Sequence, residues 1–289
     1  MRAYSAGILF YSVDPGGDTQ FYLGRERMCP WKTALTWADF GGRAEREDDG
    51  EHEVTAAREA YEESLGVFGT LAELVDRLRT RRYTMKITMA KHNRFTRFRV
   101  LYCLEVPHGE DYGAEFLRRR HLLLGVQVMV NTARARLFGI QVKGGLIPGS
   151  TLPGDGVVEK IQAVSHGRVT FELQGGGRIA RSCESREIAN RYADVHTMQT
   201  LIVSSIDALP PSLSKAVLDW SDPYLPGVRD YFMEKDRLAS VVMKEVMALL
   251  IAIRKTSSNP DHPLRASFAP LLRIFITQLT LAEDGSWRL

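Results

Sequence analysis

The chain has 289 residues, a net charge of +3 and 25% charged residues, which are values typical of an ordinary globular protein. Its most apolar run, residues 247–253, is far shorter than the roughly 20 residues of a membrane-spanning helix, so we expect no membrane partner. Three isolated cysteines, Cys29, Cys103 and Cys183, form no C-x-x-C pair and argue against a zinc site or a disulfide framework, so we expect an intracellular, cytoplasmic location.

The first third of the sequence predicts strands, then a helix, then strands again. Residues 6–13 and 20–25 have strand patterns and flank a Pro-Gly turn. A further strand pattern leads into Gly41 and Gly42, and a polar loop precedes the next helix. The later segments are helices over 53–65 and 71–78 and strands over 83–89 and 95–106.

The rest of the chain has a weaker pattern. Residues 115–124 predict a helix, 137–142 a strand and 144–156 a loop, and a β-hairpin follows over 156–164 and 167–173. Apolar residues at helical spacing then predict two terminal helices, about 238–255 and about 263–281. These helices either pack on the core or form a homodimer.

Three carboxylates lie on one face of the helix predicted over 53–65. Glu59, Glu62 and Glu63 stand at i, i+3 and i+4, which places them side by side. Like charges held this close repel each other, and a divalent cation with oxygen ligands relieves that repulsion. The pattern therefore indicates a metal site.

Charge is distributed unevenly around this helix. Residues 45–63 contain nine acidic residues and two arginines, whereas residues 77–99 contain nine lysines or arginines and no acid. An acidic metal site beside a basic segment suits a substrate that carries phosphate groups. Within the basic segment Lys86, Lys91, Arg94, Arg97 and Arg99 are either a phosphate or RNA surface or ordinary solvent-facing strand residues.

The stretch from Gly42 to Val67 resembles the Nudix box, G-x5-E-x7-R-E-U-x-E-E-x-G-U, where U is aliphatic. Arg58 and Glu59 supply R-E, and Glu62 and Glu63 supply E-E. Two positions depart from the pattern. Asp49 or Glu51 must take the first acidic position, because residue 50 is glycine, and one extra residue separates Glu63 from Gly66.

The resemblance implies an α/β fold, the Nudix α/β/α sandwich around a mixed sheet. Residues 1–114 are expected to form the core with the box at 42–67, residues 115–205 a β-rich insertion, and residues 206–289 the return to the Nudix fold with C-terminal helices. The implied cofactor is Mg²⁺ or Mn²⁺, held by Glu59, Glu62 and Glu63.

The same resemblance assigns roles to individual residues. Glu59, Glu62 and Arg58 are the implied catalytic residues, with Arg58 orienting the catalytic glutamate through a salt bridge. The resemblance places substrate contacts at Gly42 and Arg43, and the basic segment adds Lys86 and Arg94 as expected substrate contacts. Glu234 is a candidate base, with a plain surface glutamate as the alternative.

The implied activity is hydrolysis of a pyrophosphate bond in a nucleoside diphosphate linked to another moiety. Residues 37–42, the variant end of the box and the large insertion are similar to Nudix proteins of large DNA viruses, some of which remove mRNA caps, and for a viral protein the location would be the host cytoplasm. The expected partner is therefore a nucleotide or capped RNA. The alternative is a non-catalytic Nudix-fold protein that binds nucleotide or RNA.

Overall fold

The computed structural model describes most of the chain and divides it into two compact units. The described residues are 5–26, 36–91, 97–152, 154, 156–211, 213–214, 218–219, 227–228, 238–256, 264–265, 268–278, 280–281 and 287–288. The first unit comprises Met1–Arg119 and Glu234–Leu289, and the second comprises Arg120–Met233.

A mixed sheet forms the centre of the first unit. Its strands, in the order β13-β2-β1-β6-β5, are β13 (Leu238–Glu245), β2 (Thr19–Glu26), β1 (Ser5–Val13), β6 (Arg97–Glu105) and β5 (Met85–Lys91). Strands β1 and β6 run parallel, with Ile8 opposite Tyr102, whereas the other neighbours in this order are antiparallel. Two short strands, β3 (Trp37–Ala38) and β4 (Phe40–Arg43), pair with β2 and β1 respectively.

Helices cover both faces of this sheet because its strands are apolar on both sides. Helix α1 (His52–Ser64) packs on β1 and β4 and against α2 (Leu71–Arg79), and on this face the rings of Phe10 and Phe68 stack with centroids 4.0 Å apart. On the other face Leu9 and Tyr11 belong to a core that includes residues of α5 (Val246–Thr256) and α6 (Ala269–Ile276). The predicted α/β/α sandwich with a mixed sheet is therefore confirmed.

The second unit combines a small sheet with long helices. Its sheet has the order β10-β9-β8-β7, built from β10 (Arg178–Ser182), β9 (Arg168–Leu173), β8 (Gly156–Ser165) and β7 (Thr151–Leu152). Helix α4 (Arg186–Asp207) packs on this sheet, and the ring of Tyr192 meets Phe171 edge-on at 5.7 Å. Helix α3 (Tyr112–Val142) begins in the first unit and continues into the second.

Short two-residue strands complete the described chain. They are β11 (Leu218–Asp219) paired with β12 (Gly227–Val228), and β14 (Thr280–Leu281) paired with β15 (Trp287–Arg288). Among the described residues, no helix combines the length and the apolar character that crossing a bilayer requires.

Three sequence-based boundaries are wrong, the first two because tertiary contacts outweigh local propensity. Residues 137–142, expected as a strand, end helix α3, where Leu137 and Ile140 belong to its buried face. Residues 238–245, expected as the start of a helix, form strand β13, because the free edge of β2 accepts them as a hydrogen-bonded neighbour. The final helix covers Ala269–Ile276 rather than 263–281, with Pro270 in its first turn.

Residues 115–205 contain the four-stranded sheet together with most of α3 and nearly all of α4. The hairpin predicted over 156–164 and 167–173 is confirmed by β8 and β9. Helix α4 and the third strand β10 were not predicted.

Candidate metal and catalytic site

The three box glutamates lie on the last two turns of α1, and all are buried. Glu59 is 4% exposed, Glu62 9% and Glu63 7%. Carboxylates are seldom buried to this extent unless each one is paired or coordinates a metal. Their contacts therefore define what the site can do.

Arg58 connects two of these glutamates to a fourth carboxylate. Its Nη1 donates to Glu59 Oε1 at 3.1 Å and to Glu62 Oε2 at 3.3 Å. Its other edge makes a two-point contact with Asp48, Nε to Oδ1 at 2.8 Å and Nη2 to Oδ2 at 2.9 Å. Such a fork fixes the guanidinium plane, and with it the two glutamates. This is the orienting contact that the box resemblance implies for Arg58.

Asp48, and neither Asp49 nor Glu51, pairs with Arg58. Asp48 is 2% exposed and also accepts hydrogen bonds from Thr55 Oγ1 and from the backbone N–H of Glu45, at 2.9 and 2.8 Å. Burial alone would raise its pKa, but the hydrogen bonds from Arg58, the Glu45 N–H and Thr55, together with the charge of Arg58, outweigh burial and hold the pKa of Asp48 below its ordinary value. Glu51 pairs instead with Arg79 at 2.6 Å.

The sequence contained a signal for Asp48. Leaving five residues after Gly42, as the family pattern does, leads to Asp48, whereas leaving seven residues before Arg58 leads to Gly50. The loop between Asp48 and α1 is thus two residues longer than the family pattern, and a left-handed Asp49 (φ 50) and Gly50 (φ 77) accommodate it.

Glu63 points away from Arg58 and towards the glycine pair. Its Oε2 accepts the backbone N–H of Gly41 at 2.8 Å. Burial, and then the negative charge of Glu59, raise the pKa of Glu63 to about 8, against a smaller lowering by Gly41 N–H and Arg265. Burial is therefore the main reason why this carboxyl group holds its proton, and the neighbouring Glu59 charge adds to it.

Gly42 leaves room for the Glu59 carboxylate. A Cβ built on Gly42 would lie 2.2 Å from Glu59 Oε2, well inside contact distance. Strand β4 therefore passes directly against the Glu59 carboxylate. Arg43 follows with an exposed side chain, and its carbonyl accepts Arg58 Nη2 at 3.1 Å.

The helix ends without the glycine that the family pattern places there. Leu65 adopts the left-handed conformation at φ 57 and caps α1, and Gly66 follows at φ 66. Left-handed backbone is unfavourable for a residue with a Cβ, so tertiary packing must hold it. Leu65 is 3% exposed, and Arg119 Nη1 donates to its carbonyl at 2.8 Å. The extra residue thus lies outside the helix and leaves the glutamate spacing unchanged.

A second buried ion pair lies close to the glycine pair. Arg99 Nη2 donates to both carboxylate oxygens of Asp39, at 2.7 and 2.6 Å, and Asp39 is 1% exposed. A Cβ on Gly7 would lie 2.5 Å from Asp39 Oδ2, so β1 also approaches closely here. Arg99 is therefore a buried structural residue and not part of a solvent-facing phosphate or RNA surface. No local sequence signal indicates a pair that is sixty residues apart.

Lys86 lies beside the first turn of α1, two turns from Glu59. Its Nζ is 3.3 Å from His52 Nε2 and 3.8 Å from Glu53 Oε1, and it sits over the ring of Tyr102 at 5.3 Å. Tyr102 Oη is within hydrogen-bonding distance of both His52 and Glu53. The structure thus groups Lys86 with these three residues.

Two further predicted site residues, Arg94 and Glu234, lie outside the described residues. Several other basic residues of the segment 77–99 contact protein oxygens. Arg79 pairs with Glu51, Arg82 pairs with Asp76, and Arg77 Nη2 donates to the Glu105 carbonyl at 2.7 Å.

The donor set fits a hard divalent cation in its chemistry. In the described part of the chain, no three acidic, histidine or cysteine side chains converge on one point as they stand. Glu59 and Glu62 face Arg58, and Glu63 faces Gly41. Three buried carboxylates within one and a half helical turns, one with its pKa raised to about 8, are nevertheless the oxygen ligands that Mg²⁺ and Mn²⁺ select.

No family model matches the sequence, and no curated protein matches it either. Among solved structures, the chain is similar to the Nudix hydrolase RenU from M. smegmatis, with 20% identity over 37% of this chain and 63% of that one and a TM-score of 0.25. It is also similar to the NUDIX domain of Shewanella oneidensis NrtR complexed with ADP ribose, with 14% identity, 37% and 62% coverage and a TM-score of 0.25.

A third similar structure is a C. elegans Ap4A hydrolase binary complex, with 14% identity, coverage of 71% of this chain and 97% of that one, and a TM-score of 0.24. The chain spans less than two-thirds of the first two structures. The likeness to these structures therefore describes the fold of this chain and not its activity.

Proposed function

We propose that this protein is a divalent-metal-dependent Nudix pyrophosphohydrolase that cleaves a nucleoside diphosphate linked to another moiety. One observation carries the proposal: three buried glutamates lie on adjacent turns of α1, the Arg58–Asp48 pair holds two of them, Glu59 and Glu62, and Glu59 Oε2 lies where a Cβ on residue 42 would approach to 2.2 Å. Burying three carboxylates side by side on one helix destabilises the fold, because like charges repel and lose their hydration. Such an arrangement is expected where charge is used for chemistry.

Glu59, Glu62 and Glu63 would hold Mg²⁺ or Mn²⁺. When bound, such an ion neutralises charge on pyrophosphate oxygens and lowers the pKa of a coordinated water. The raised pKa of Glu63 supports this role, because a nearby cation would relieve the repulsion from Glu59 that helps to raise it.

Arg58 orients Glu59, and Glu59 accepts a proton. Arg58 holds Glu59 through Oε1, so that the other oxygen, Oε2, faces the Gly42 backbone. We assign Glu59 Oε2 as the acceptor of the proton from the attacking water, with Glu62 as a neighbouring ligand. Asp48 acts indirectly: it fixes the Arg58 guanidinium, which in turn holds Glu59.

The substrate class follows from charge and exposure near the glycine pair. Arg43 is exposed directly after Gly42, so it is the side chain best placed to meet a phosphate. Lys86, beside the first turn of α1, is a second candidate contact. These side chains suit a phosphate group, while the nucleotide, and the larger mRNA 5′ cap, are the substrates that the sequence resemblance implies.

Hydrolysis of a substrate panel tests the proposal. The panel contains capped RNA, diadenosine polyphosphates, NAD, ADP-ribose, nucleotide sugars and nucleoside triphosphates, each with Mg²⁺, Mn²⁺ or EDTA. We expect metal-dependent release of a nucleoside monophosphate from one class, lowered at least ~100-fold in Glu62→Gln. Glu47→Gln, an exposed glutamate outside the helix, is the matched control and should keep full activity.

Other outcomes are equally informative. Cleavage that is unaffected by EDTA or by Glu62→Gln would contradict the assigned site. Binding of nucleotide or RNA without cleavage of any member of the panel would replace the hydrolase by a non-catalytic binding protein.

A further inference from the structure

The last turn of α1 carries charge of the wrong sign for its position. The free carbonyls at the C-terminus of a helix give that end a partial negative charge, which basic side chains normally offset. The last turn of α1 contains no basic residue and carries Glu62 and Glu63 instead. Both glutamates are buried, so water screens their repulsion from the helix end poorly. A cation from another element is therefore needed here.

The backbone that closes this turn is also unfavourable. Leu65 ends α1 in the left-handed conformation, with φ 57 and ψ 32, although it has a Cβ. Gly66 is left-handed as well, and its N–H donates to the Tyr61 carbonyl at 2.8 Å. The Leu65 N–H donates to the Glu62 carbonyl at 3.3 Å, which is a long hydrogen bond. The turn that carries Glu62 and Glu63 thus ends on a strained residue.

Arg119 of α3 supplies both a cation and a hydrogen bond at this point. Its Nη1 donates to the Leu65 carbonyl at 2.8 Å, although the two residues are 54 positions apart in the sequence. The Arg119 side chain is only 14% exposed, so salt and water screen its charge little. Arg119 is the last residue of the first unit before the second unit begins, so the whole contact lies within one unit.

Glu115 holds Arg119 in this position. Its Oε1 accepts Arg119 Nε at 2.6 Å, and its two oxygens also accept Arg118 Nε and Nη2 at 2.7 and 2.8 Å. The hydrogen bonds from Arg118 and Arg119, together with their charges, outweigh burial and lower the pKa of Glu115 to about 2, so the pair stays charged at neutral pH. The Arg119 guanidinium is therefore fixed by α3 at Nε and by α1 at Nη1.

We propose that Arg119 is a positioning residue of the metal site, which keeps the last turn of α1 wound so that Glu62 and Glu63 stay together as ligands. The inference rests on the proposed function, because it concerns the same site. Arg58 contacts the Glu62 carboxylate at 3.3 Å, whereas Arg119 holds the end of the turn through the backbone. Without Arg119 both glutamates remain in the chain, but the turn that carries them opens more easily.

Two measurements on Arg119→Gln test the proposal. Hydrogen exchange of the metal-free protein, followed by NMR, should become about tenfold faster at the amides of Leu65 and Gly66, because the turn loses a hydrogen bond from a charged group. The affinity for Mn²⁺, followed by electron paramagnetic resonance of the free ion, should fall about tenfold for the same reason. Arg119→Lys keeps a cation that can reach the same carbonyl, and it should restore most of both losses.

Arg118→Gln is the matched control. Arg118 contacts the same glutamate, its side chain is 49% exposed, and within the described part of the chain it makes no hydrogen bond to α1. Its loss should change neither the exchange of the Leu65 and Gly66 amides nor the affinity for Mn²⁺. The amides of β1 and β6 are the internal reference, because their exchange should change far less than that of the turn.

Several results would overturn the inference. In Arg119→Gln these are unchanged exchange at Leu65 and Gly66, exchange that rises equally in β1 and β6, or an affinity for Mn²⁺ equal to that of the wild type. A lysine variant as weak as Arg119→Gln, or an equal loss in Arg118→Gln, would also overturn it. A wild type that binds no Mn²⁺ would refute the proposed function itself and this inference with it, so the two failures are distinguishable.

Discussion

Replacing Asp48 by asparagine should destabilise the fold although the change adds no bulk. Asp48 is buried and makes two short contacts with Arg58, whose side chain is only 13% exposed. The amide introduced by Asp48→Asn cannot satisfy both guanidinium donors, because it offers one oxygen and turns a donor towards a donor. A charged guanidinium then remains buried with fewer acceptors.

The magnitude follows from the geometry. Breaking a buried ion pair by removing one partner costs about 3–5 kcal/mol. Arg58 keeps its contacts with Glu59 and Glu62 at 3.1 and 3.3 Å, so we expect the lower end, about 3 kcal/mol. That loss corresponds to a fall in Tm of about 6–12 °C.

Urea unfolding at pH 7, followed by circular dichroism, measures this loss. The control is Asp49→Asn, because Asp49 is exposed and left-handed at φ 50, a conformation that asparagine tolerates well. We expect the control to change the free energy of unfolding by less than about 0.5 kcal/mol. A cost below about 1 kcal/mol for Asp48→Asn, or an equal cost for both variants, would refute the assignment of Asp48 as the partner of Arg58.

The same pair predicts a pH dependence. Burial acts to raise the pKa of Asp48, but Arg58, the Glu45 N–H and Thr55 together outweigh it and hold the pKa below its ordinary value of 3.8. The stabilisation is therefore present above pH 3.8 and is lost as the pH falls through the folded-state pKa. The difference in stability between the wild type and Asp48→Asn should be constant from about pH 7 to 5 and shrink towards about pH 3. A difference that persists unchanged at the acid end would show that charge on Asp48 is not its source.

Three further predictions follow from individual positions. Because the pKa of Glu63 is raised from 4.5 to about 8, the free energy of unfolding of the wild type in EDTA should fall as the pH rises through that range. Urea unfolding at about pH 5 and 8.5 should show a smaller fall for Glu63→Gln, and an equal fall in both proteins would contradict the raised pKa. Gly42→Ala should lower kcat about 100-fold in a hydrolysis assay, because the new Cβ would lie 2.2 Å from Glu59 Oε2 and push that carboxylate out of place. Full activity would contradict this close approach. His166→Asn should raise the free energy of unfolding by up to about 1 kcal/mol, because His166 (φ 48) and Gly167 (φ 74) form the hairpin turn in which Asn-Gly is preferred, and a loss of stability would contradict that turn.

The sequence predicts the centre of the first unit well because its local signals agree with one another. Strands β1 and β2 are apolar runs that flank a Pro-Gly turn, and helix α1 carries its glutamate spacing. Site residues on one helix, such as Glu59 and Glu62, follow directly from i, i+3 and i+4 spacing. Contacts between Arg58 and these neighbours also lie within about one turn.

What the sequence does not predict depends on distant contacts or on unusual backbone. The Asp39–Arg99 pair joins two segments sixty residues apart, and nothing local indicates that Arg99 is buried. Strand β13 has apolar residues that also suit a helix, and only the edge of β2 decides between the two. Leu65 takes a left-handed conformation that sequence patterns assign to glycine.

Binding of Mn²⁺, followed by electron paramagnetic resonance of the free ion, tests the assigned metal site most directly because it needs no substrate. The wild type should remove free Mn²⁺ from solution, and Mg²⁺ should compete for the same site. Glu59→Gln, Glu62→Gln and Glu63→Gln should each weaken binding at least about tenfold, because each removes one charged oxygen ligand, while Glu47→Gln should bind as the wild type does. Equal binding by the wild type and all three variants would place the metal elsewhere and contradict the assignment of α1 as the catalytic helix.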